Sequence, residues 1–269
     1  MSNSKGTALI TGASRGIGAV YADRLAKRGY DLIVVARSEG RLKALSARLA
    51  SETGRSVTPL PADLNDKADL AKVESTLRND QTITMLVNNA GTASVAPLLN
   101  ADVEKMDDMI ALNTTALTRL TYAAAPAFVA RGTGTIINIA SVVGISPEAL
   151  NGVYGATKAF VIALSHSLQH ELADKGIRIQ AVLPGATATD LWEIAGLPYQ
   201  NLPPSIVMSP EDMVDAALAG LDLGELVTIP GLQDGDDWSR FEAARRALSQ
   251  RFGNSVPAPR YGIGVPTPV

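Results

Sequence analysis

The chain contains no cysteine, which excludes disulfide bonds, thiol catalysis and cysteine-ligated metals while fitting a reducing or an oxidising compartment equally well. Histidine is almost as scarce, with only His166 and His170. Their spacing of four can bind a metal, but the metalloprotease pattern wants Glu directly after the first histidine, and position 167 is Ser. No third ligand is apparent, so no metal is expected, and Glu171 and Asp174 nearby read as a solvated face. Long hydrophobic runs are missing too: none approaches the roughly 18 to 20 residues of a membrane span. The opening MSNSKGTALITG lacks the basic region, long apolar run and cleavage site of a secretory signal. Charge of one sign is not concentrated anywhere. The net charge is -3, with Lys and Arg scattered, which leaves no electrostatic footprint for nucleic acid. These absences lead to the expectation of a cytoplasmic protein without membrane or nucleic-acid partners. There is also no internal repeat, charge block or low-complexity linker to force a domain boundary.

What is present suits one large α/β domain, since 269 residues can bury a full core in such a fold. Short apolar runs at 7–11, 32–36, 57–60, 84–88, 135–140 and 177–183 read as buried strands. Between them, 16–28, 39–52, 66–79, 103–130 and 154–175 carry apolar residues at spacings of three and four and read as helices. Strict alternation implies a doubly wound parallel sheet with right-handed crossovers and helices on both faces, and ligands at the carboxyl ends of the strands. Gly29, Gly54 and Gly176 each follow a helical stretch, where a left-handed cap is common. The domain is expected to span 1–254, with an added amphipathic helix at 237–252 and a Pro-rich tail at 255–269. In that helix Phe241, Ala244, Leu248 and Phe252 share a face that would pack on its own domain or on a partner subunit.

Tyr154 and Lys158 lie four apart, and Ser141 precedes the tyrosine by thirteen residues. On a helix, positions i and i+4 have Cβ atoms about 5 to 6 Å apart. A fixed ammonium beside a phenol favours the phenolate, moving the tyrosine from near pH 10 toward a range useful for general acid and base catalysis. Alone, such a pair is also what an exposed helix surface produces. Its companion signal is the cluster Gly12, Gly16 and Gly18, placed where the first strand turns into the first helix. There, backbone N–H groups and the helix dipole suit a pyrophosphate, and bare glycines permit its close approach. An acidic residue for a ribose 2'-hydroxyl is expected at the end of the second strand, yet the chain has Ala36 followed by Arg37. With Arg15 in the glycine turn, the pattern suits a 2'-phosphate and favours NADP over NAD. The alternative is that both arginines are merely solvated surface charges.

With TGASRGIG at 11–18, NNAG at 88–91, Asn113, Ser141, Tyr154, Lys158 and Pro184-Gly185, the chain resembles the short-chain dehydrogenase/reductase family over roughly residues 5–230. The resemblance implies a Rossmann-like single-domain fold and reversible hydride transfer between a nicotinamide and a carbonyl or alcohol. It implies that Tyr154 moves the proton, that Lys158 lowers its pKa and holds the nicotinamide ribose, that Ser141 bonds the substrate oxygen, and that Asn113 holds a relay water. Ser14, Ile17 and the glycines of the turn would hold the cofactor, Asp63 and Leu64 would contact its adenine, and Asn89, Ala90 and Gly91 would lie beside it. Pro184, Gly185, Thr187 and Thr189 would meet its nicotinamide end. Duller alternatives stand beside these: Asp63 as a turn starter, Asn113 as a buried helix polar group, Asn88 and Asn89 satisfying backbone groups, Thr189 making a local backbone bond.

The segment 187–210, with Leu191, Trp192, Ile194, Leu197, Pro198, Tyr199, Leu202 and Ile206, is a largely apolar lid candidate, or ordinary packing. As a lid it would suit a moderately large, uncharged ketone. Family helices containing the equivalents of Asn113 and Tyr154 commonly pair between subunits, so a homodimer or homotetramer is implied. Two rivals remain. A non-catalytic NADP-binding sensor is opposed by the intact tetrad; a nucleotide-sugar epimerase or dehydratase would normally add a larger substrate domain than the residues after 185 provide.

Overall fold

A computed structural model describes residues 4–263. They divide into two compact units, one ending at Gly231 and one beginning at Leu232, where the sequence alone suggests one domain to 254.

The first unit carries seven parallel strands among the described residues: β1 (Thr7–Thr11), β2 (Asp31–Ala36), β3 (Val57–Pro61), β4 (Ile83–Asn88), β5 (Gly134–Ile139), β6 (Ile177–Val182) and β7 (Val227–Thr228). Their order is β3-β2-β1-β4-β5-β6-β7, so the winding direction reverses between β1 and β4. The connecting helices are α1 (Gly16–Lys27), α2 (Glu39–Thr53), α3 (Lys67–Asn79), α4 (Val103–Ile110), α5 (Leu117–Arg131), α6 (Gly152–Leu172), the short α7 (Leu191–Ala195) and α8 (Pro210–Leu223). The expected single helix over 103–130 is instead α4 and α5 joined by a π-helical turn, Ala111–Ala116. Gly54 and Gly176 end their helices at φ 67° and 76°. Two elements are absent from the sequence reading. β7 has only two residues; α8 carries both punctuation, with a Ser209 cap, Pro210, acidic Glu211 and Asp212 and a terminal Gly224, and an apolar stripe at Met213, Val214, Ala217, Leu218 and Leu221 that the sequence reading passes over.

Alternation along each strand builds the two layers. Ala8, Ile10, Leu32, Val34, Met85, Val87 and Ile137 face one way, against α1, α2 and α8. Leu9, Ile33, Val35, Leu86, Ile136 and Ile179 face the other, against α3, α5 and α6. Successive Cβ atoms point to opposite faces, so a strand covered on both sides must be apolar throughout. The register sets Ile10 beside both Val34 and Val87, which levels the strand ends.

The second unit contains α9 (Gly235–Ser249), capped by Asp234. Trp238 and Phe241 stack with ring centroids 5.2 Å apart, and Arg245 pairs with Glu242 at 2.9 Å. Phe241, Leu248 and Phe252 are exposed in the single chain, which leaves packing on a partner subunit as the standing alternative for this face. Residues 264–269 of the expected tail lie outside the described residues.

One buried polar chain crosses the second layer. Asn88 Nδ2 donates to Asn138 Oδ1 at 2.9 Å and Thr121 Oγ1 at 3.1 Å, and Asn138 Nδ2 donates to Ser165 Oγ at 3.0 Å. It ties β4 and β5 to α5 and α6, and loss of one member orphans its neighbours in a dry core. Asn138→Ala and Asn88→Ala should each destabilise by about 2 to 3 kcal/mol, with the double variant losing less than the sum. Urea unfolding measures all three; strictly additive losses would show that the amides act independently.

Candidate active site

The sheet's reversal leaves an opening where the loops after β1 and β4 diverge, and the structure fills it with the glycine turn. Thr11 Oγ1 donates to Val87 O and accepts from the N–H groups of Asn89 and Ala90, both at 3.0 Å. In return Asn89 Nδ2 donates to Thr11 O at 2.8 Å and Gly12 O at 3.2 Å. Gly12 sits at φ 66°, and a Cβ there would lie 2.7 Å from Asn89 Nδ2 and 2.9 Å from Ala90 Cα. Gly16, at φ 53°, opens α1, and with Ile17 it lines a cleft.

That cleft has a volume of about 580 Å³. Gly12, Ser14, Arg15, Gly16 and Ile17 line it from the turn, Arg37 from the end of β2, Asp63 and Leu64 from beyond β3, and Asn89, Ala90 and Gly91 from beyond β4. Gly18 does not line it: a Cβ there would strike Gly12 O, so this glycine permits the helix to pack against the turn. Arg15 is not free, because its Nη1 pairs with Asp190 Oδ2 at 2.9 Å. Arg37 is three-quarters exposed and has Asp63 only at 4.0 Å. Ser38 and Arg41 join Arg37 on the same wall. The sequence reading passes over both, although a Ser before a helix and a second basic residue four beyond Arg37 are visible signals.

A second, smaller cavity of about 130 Å³ adjoins the first, with Ile17, Asn89, Gly91, Thr189 and Leu191 lining both. It gathers Ser141, Tyr154 and Lys158, together with Pro184, Gly185 and Thr187 from the loop after β6. Much of the remaining wall is apolar: Val95, Val142, Val143, Leu150 and Trp192. Of the lid candidate, Leu191, Trp192, Ile194 and Ala195 reach the clefts, whereas Leu197, Pro198, Tyr199, Leu202 and Ile206 line neither. Thr187 is buried, donates to Gly185 O at 3.3 Å and bridges to Met208, which anchors the base of this segment.

Tyr154 and Lys158 share a face of α6, as the spacing requires, but their electrostatics differ from the sequence expectation. Burial pushes the Tyr154 phenol up to about 12, only partly opposed by its hydrogen bond with Ser141. Burial also brings the Lys158 ammonium down to about 8. Lys158 Nζ lies 5.7 Å from the tyrosine ring centroid and donates to Ile139 O at 2.9 Å. Desolvation therefore sets the direction, and the expected lowering of the tyrosine pKa is replaced by a raising. Ser141 Oγ also donates to Pro184 O at 3.2 Å.

Asn113 occupies the π-helical turn, a local widening frequent at functional sites. Its Oδ1 accepts from Thr92 N at 2.9 Å, and its Nδ2 donates to Thr92 O at 2.9 Å and Thr157 Oγ1 at 3.1 Å. It lines neither cleft directly. A Cβ on Gly91 would come 3.1 Å from Asn113 Oδ1 and 3.6 Å from Lys158 Nζ, so a bare glycine keeps the space between them open. Among the described residues no three His, Cys, Asp or Glu side chains gather to hold a metal ion, and no helix is long and apolar enough to cross a membrane.

Comparison with known proteins agrees with this arrangement. Residues 6–196 match the family described as short chain dehydrogenase. A short-chain dehydrogenase from Sphingobium yanoikuyae, solved in complex with NADPH, is 51% identical with a TM-score of 0.92, covering 94% of this chain and 98% of that one. A bulky-bulky ketone specific alcohol dehydrogenase from Comamonas testosteroni is 45% identical with a TM-score of 0.89, covering 96% and 99%. A probable NADP-dependent dehydrogenase from Haemophilus influenzae is 38% identical over 181 residues, 66% of this chain and 70% of that protein. On the match across most of its length, and with the glycine turn, cleft and Tyr154–Lys158 pair in place, the chain belongs to the short-chain dehydrogenase family of oxidoreductases.

Proposed function

We propose that the protein is a reversible NADPH-dependent reductase of uncharged, moderately large ketones, with Tyr154 as its general acid and base. The observation that carries this reading is the convergence of Tyr154, Ser141 and Lys158 in a largely apolar cavity continuous with a glycine-walled cleft of cofactor size. The similar Sphingobium and Comamonas proteins, one bound to NADPH and one specific for bulky ketones, support both the cofactor and the substrate class.

The residues present suit a dinucleotide. The start of α1 and bare Gly12 and Gly16 would hold its pyrophosphate, with Ser14 and Ile17 beside them. Asp63 and Leu64 would border the adenine, and Asn89, Ala90 and Gly91 the middle of the molecule. Pro184, Gly185, Thr187 and Thr189 would border the nicotinamide end. Arg37, joined by Ser38 and Arg41, would take a 2'-phosphate, at a wall where the N-terminus of α2 adds its dipole. When bound, the nicotinamide supplies or accepts the hydride.

The side chains of the protein handle the proton. Burial keeps the Tyr154 phenol protonated throughout the neutral range, so it is ready to donate to a carbonyl oxygen. Ser141 would hold the same oxygen, and the Lys158 charge would offset the phenolate as it forms. Asn113, behind Gly91, would fix a water that returns the proton from solvent. A positioned acid contributes typically a factor of about 100 to 10,000, and positioning of the reactants roughly 7 to 11 kcal/mol. We also propose that the protein is a cytoplasmic homodimer or homotetramer. Tyr122 on α5 and Phe160 on α6, rings left 69% and 41% exposed, would meet a second copy, and sedimentation velocity reads the state directly.

Tyr154→Phe should lower kcat by about 100-fold or more while NADPH still binds, and unchanged turnover would end the acid assignment. Because the Lys158 pKa lies near 8, kcat/KM for reduction should hold level below about pH 8 and fall above it as the ammonium is lost. A profile rising through that range would make the neutral amine the working form. Arg37→Ala should weaken NADPH about tenfold or more, and NADH by no more than about twofold. Equal weakening in fluorescence titrations would remove Arg37 from the phosphate site.

A further inference from the structure

Asn151, three residues before Tyr154, makes use of both ends of its amide. Its Oδ1 accepts from Val153 N at 2.9 Å and from Tyr154 N at 3.2 Å, capping α6 at the turn that carries the tyrosine. Its Nδ2 donates to Ala96 O, across 55 residues of sequence. The side chain is buried and sits in neither cleft. Ala96 follows Val95, which lines the smaller cavity, and Val95 N donates to Ala195 O at the end of α7, the helix that contributes Leu191 and Trp192. A continuous run of hydrogen bonds and peptide links thus joins the backbone N–H of Tyr154 to two walls of the cavity.

We propose that Asn151 is a positioning residue that sets the distance between the Tyr154 phenol and the apolar walls that hold the substrate. The inference rests on the reading of Tyr154 as the acid. A capping acceptor alone would be met by Ser, Thr or Asp. What asparagine adds is a donor on the same planar group, so that the helix start and the Val95 wall move together. Neither bond touches a substrate, and both govern where the substrate oxygen meets the phenol, which is the kind of registration on which rate depends steeply.

Two variants separate the halves of the amide. Asn151→Ser keeps a capping oxygen but is too short to bridge to Ala96; Asn151→Ala removes both bonds. With an uncharged bulky ketone and NADPH, Asn151→Ser should raise KM about threefold or more with kcat nearly unchanged. Asn151→Ala should also lower kcat by about fivefold or more. Small ketones, which do not reach both walls, should show the smaller KM effect. NADPH affinity by fluorescence and the folded fraction by circular dichroism should match the wild type in both. The proposal is overturned if both variants keep wild-type kcat and KM, or if activity falls only in step with the folded fraction. It is also overturned if small and bulky ketones are affected alike. Tyr154→Phe run alongside tests the underlying reading separately: full activity there would sink the acid assignment, whatever Asn151 does.

Discussion

The architecture of the site depends on one interlock at the reversal of the sheet. A parallel sheet whose winding changes direction between β1 and β4 must leave a gap between the two diverging loops. Left alone, such a gap exposes backbone groups that would otherwise pair along a ladder. Thr11 and Asn89 close that account between them. The hydroxyl serves two amides and a carbonyl, and the side-chain amide serves the two carbonyls at the mouth of the glycine turn. The turn is thereby held open at a fixed width. Gly12 must be bare because Asn89 and Ala90 come so close, and the same closeness sets the larger cleft directly against the smaller cavity.

On that frame the smaller cavity concentrates an electrostatic conflict. Tyr154 and Lys158 are both taken out of water, and each is pushed toward its neutral form: the phenol up, the amine down. In a low-dielectric site the charged form of either group needs a partner, and in the described structure Lys158 has a backbone carbonyl while Tyr154 has a hydroxyl. Such a pair responds sharply to any charge brought nearby, because little water is present to screen it. That sensitivity is what a proton-transfer site needs, and it arises from burial as much as from the four-residue spacing.

Most of the framework was legible because it rests on short-range patterns. Six strands show as apolar runs and the glycine turn shows at a strand end; Ser141, Tyr154 and Lys158, foreseen from spacing, come together in one cavity. What the sequence does not reveal depends on long-range burial. The direction of the Tyr154 shift turns on how completely α6 and its surroundings exclude water, which no local pattern encodes. The engagement of Arg15 by Asp190 joins positions 175 apart, so an arginine that reads as free for phosphate is already paired. Gly18 reads as a cofactor contact from the motif alone, and only its closeness to Gly12 O shows that it serves packing. β7 is too short to show a period, whereas α8 was legible both in its caps and in its apolar stripe and was passed over.

The lysine makes the balance between stability and function explicit. A lysine that titrates near 8 in the folded chain and near 10.5 when unfolded binds its proton less tightly in the fold. Below about pH 8 both states are charged, and the folded state carries the full penalty, on the order of 3 kcal/mol. Between about 8 and 10.5 the unfolded chain holds the proton that the folded chain has released, so stability rises with pH across that window. A buried methionine of similar length would avoid this penalty at neutral pH and would fill the same space. Packing therefore gives no reason for an ammonium at position 158, and the penalty falls on a group that faces Gly91, Tyr154 and the junction of the two cavities. Stability given up at that junction, and not elsewhere in the core, is what selection for chemistry leaves behind.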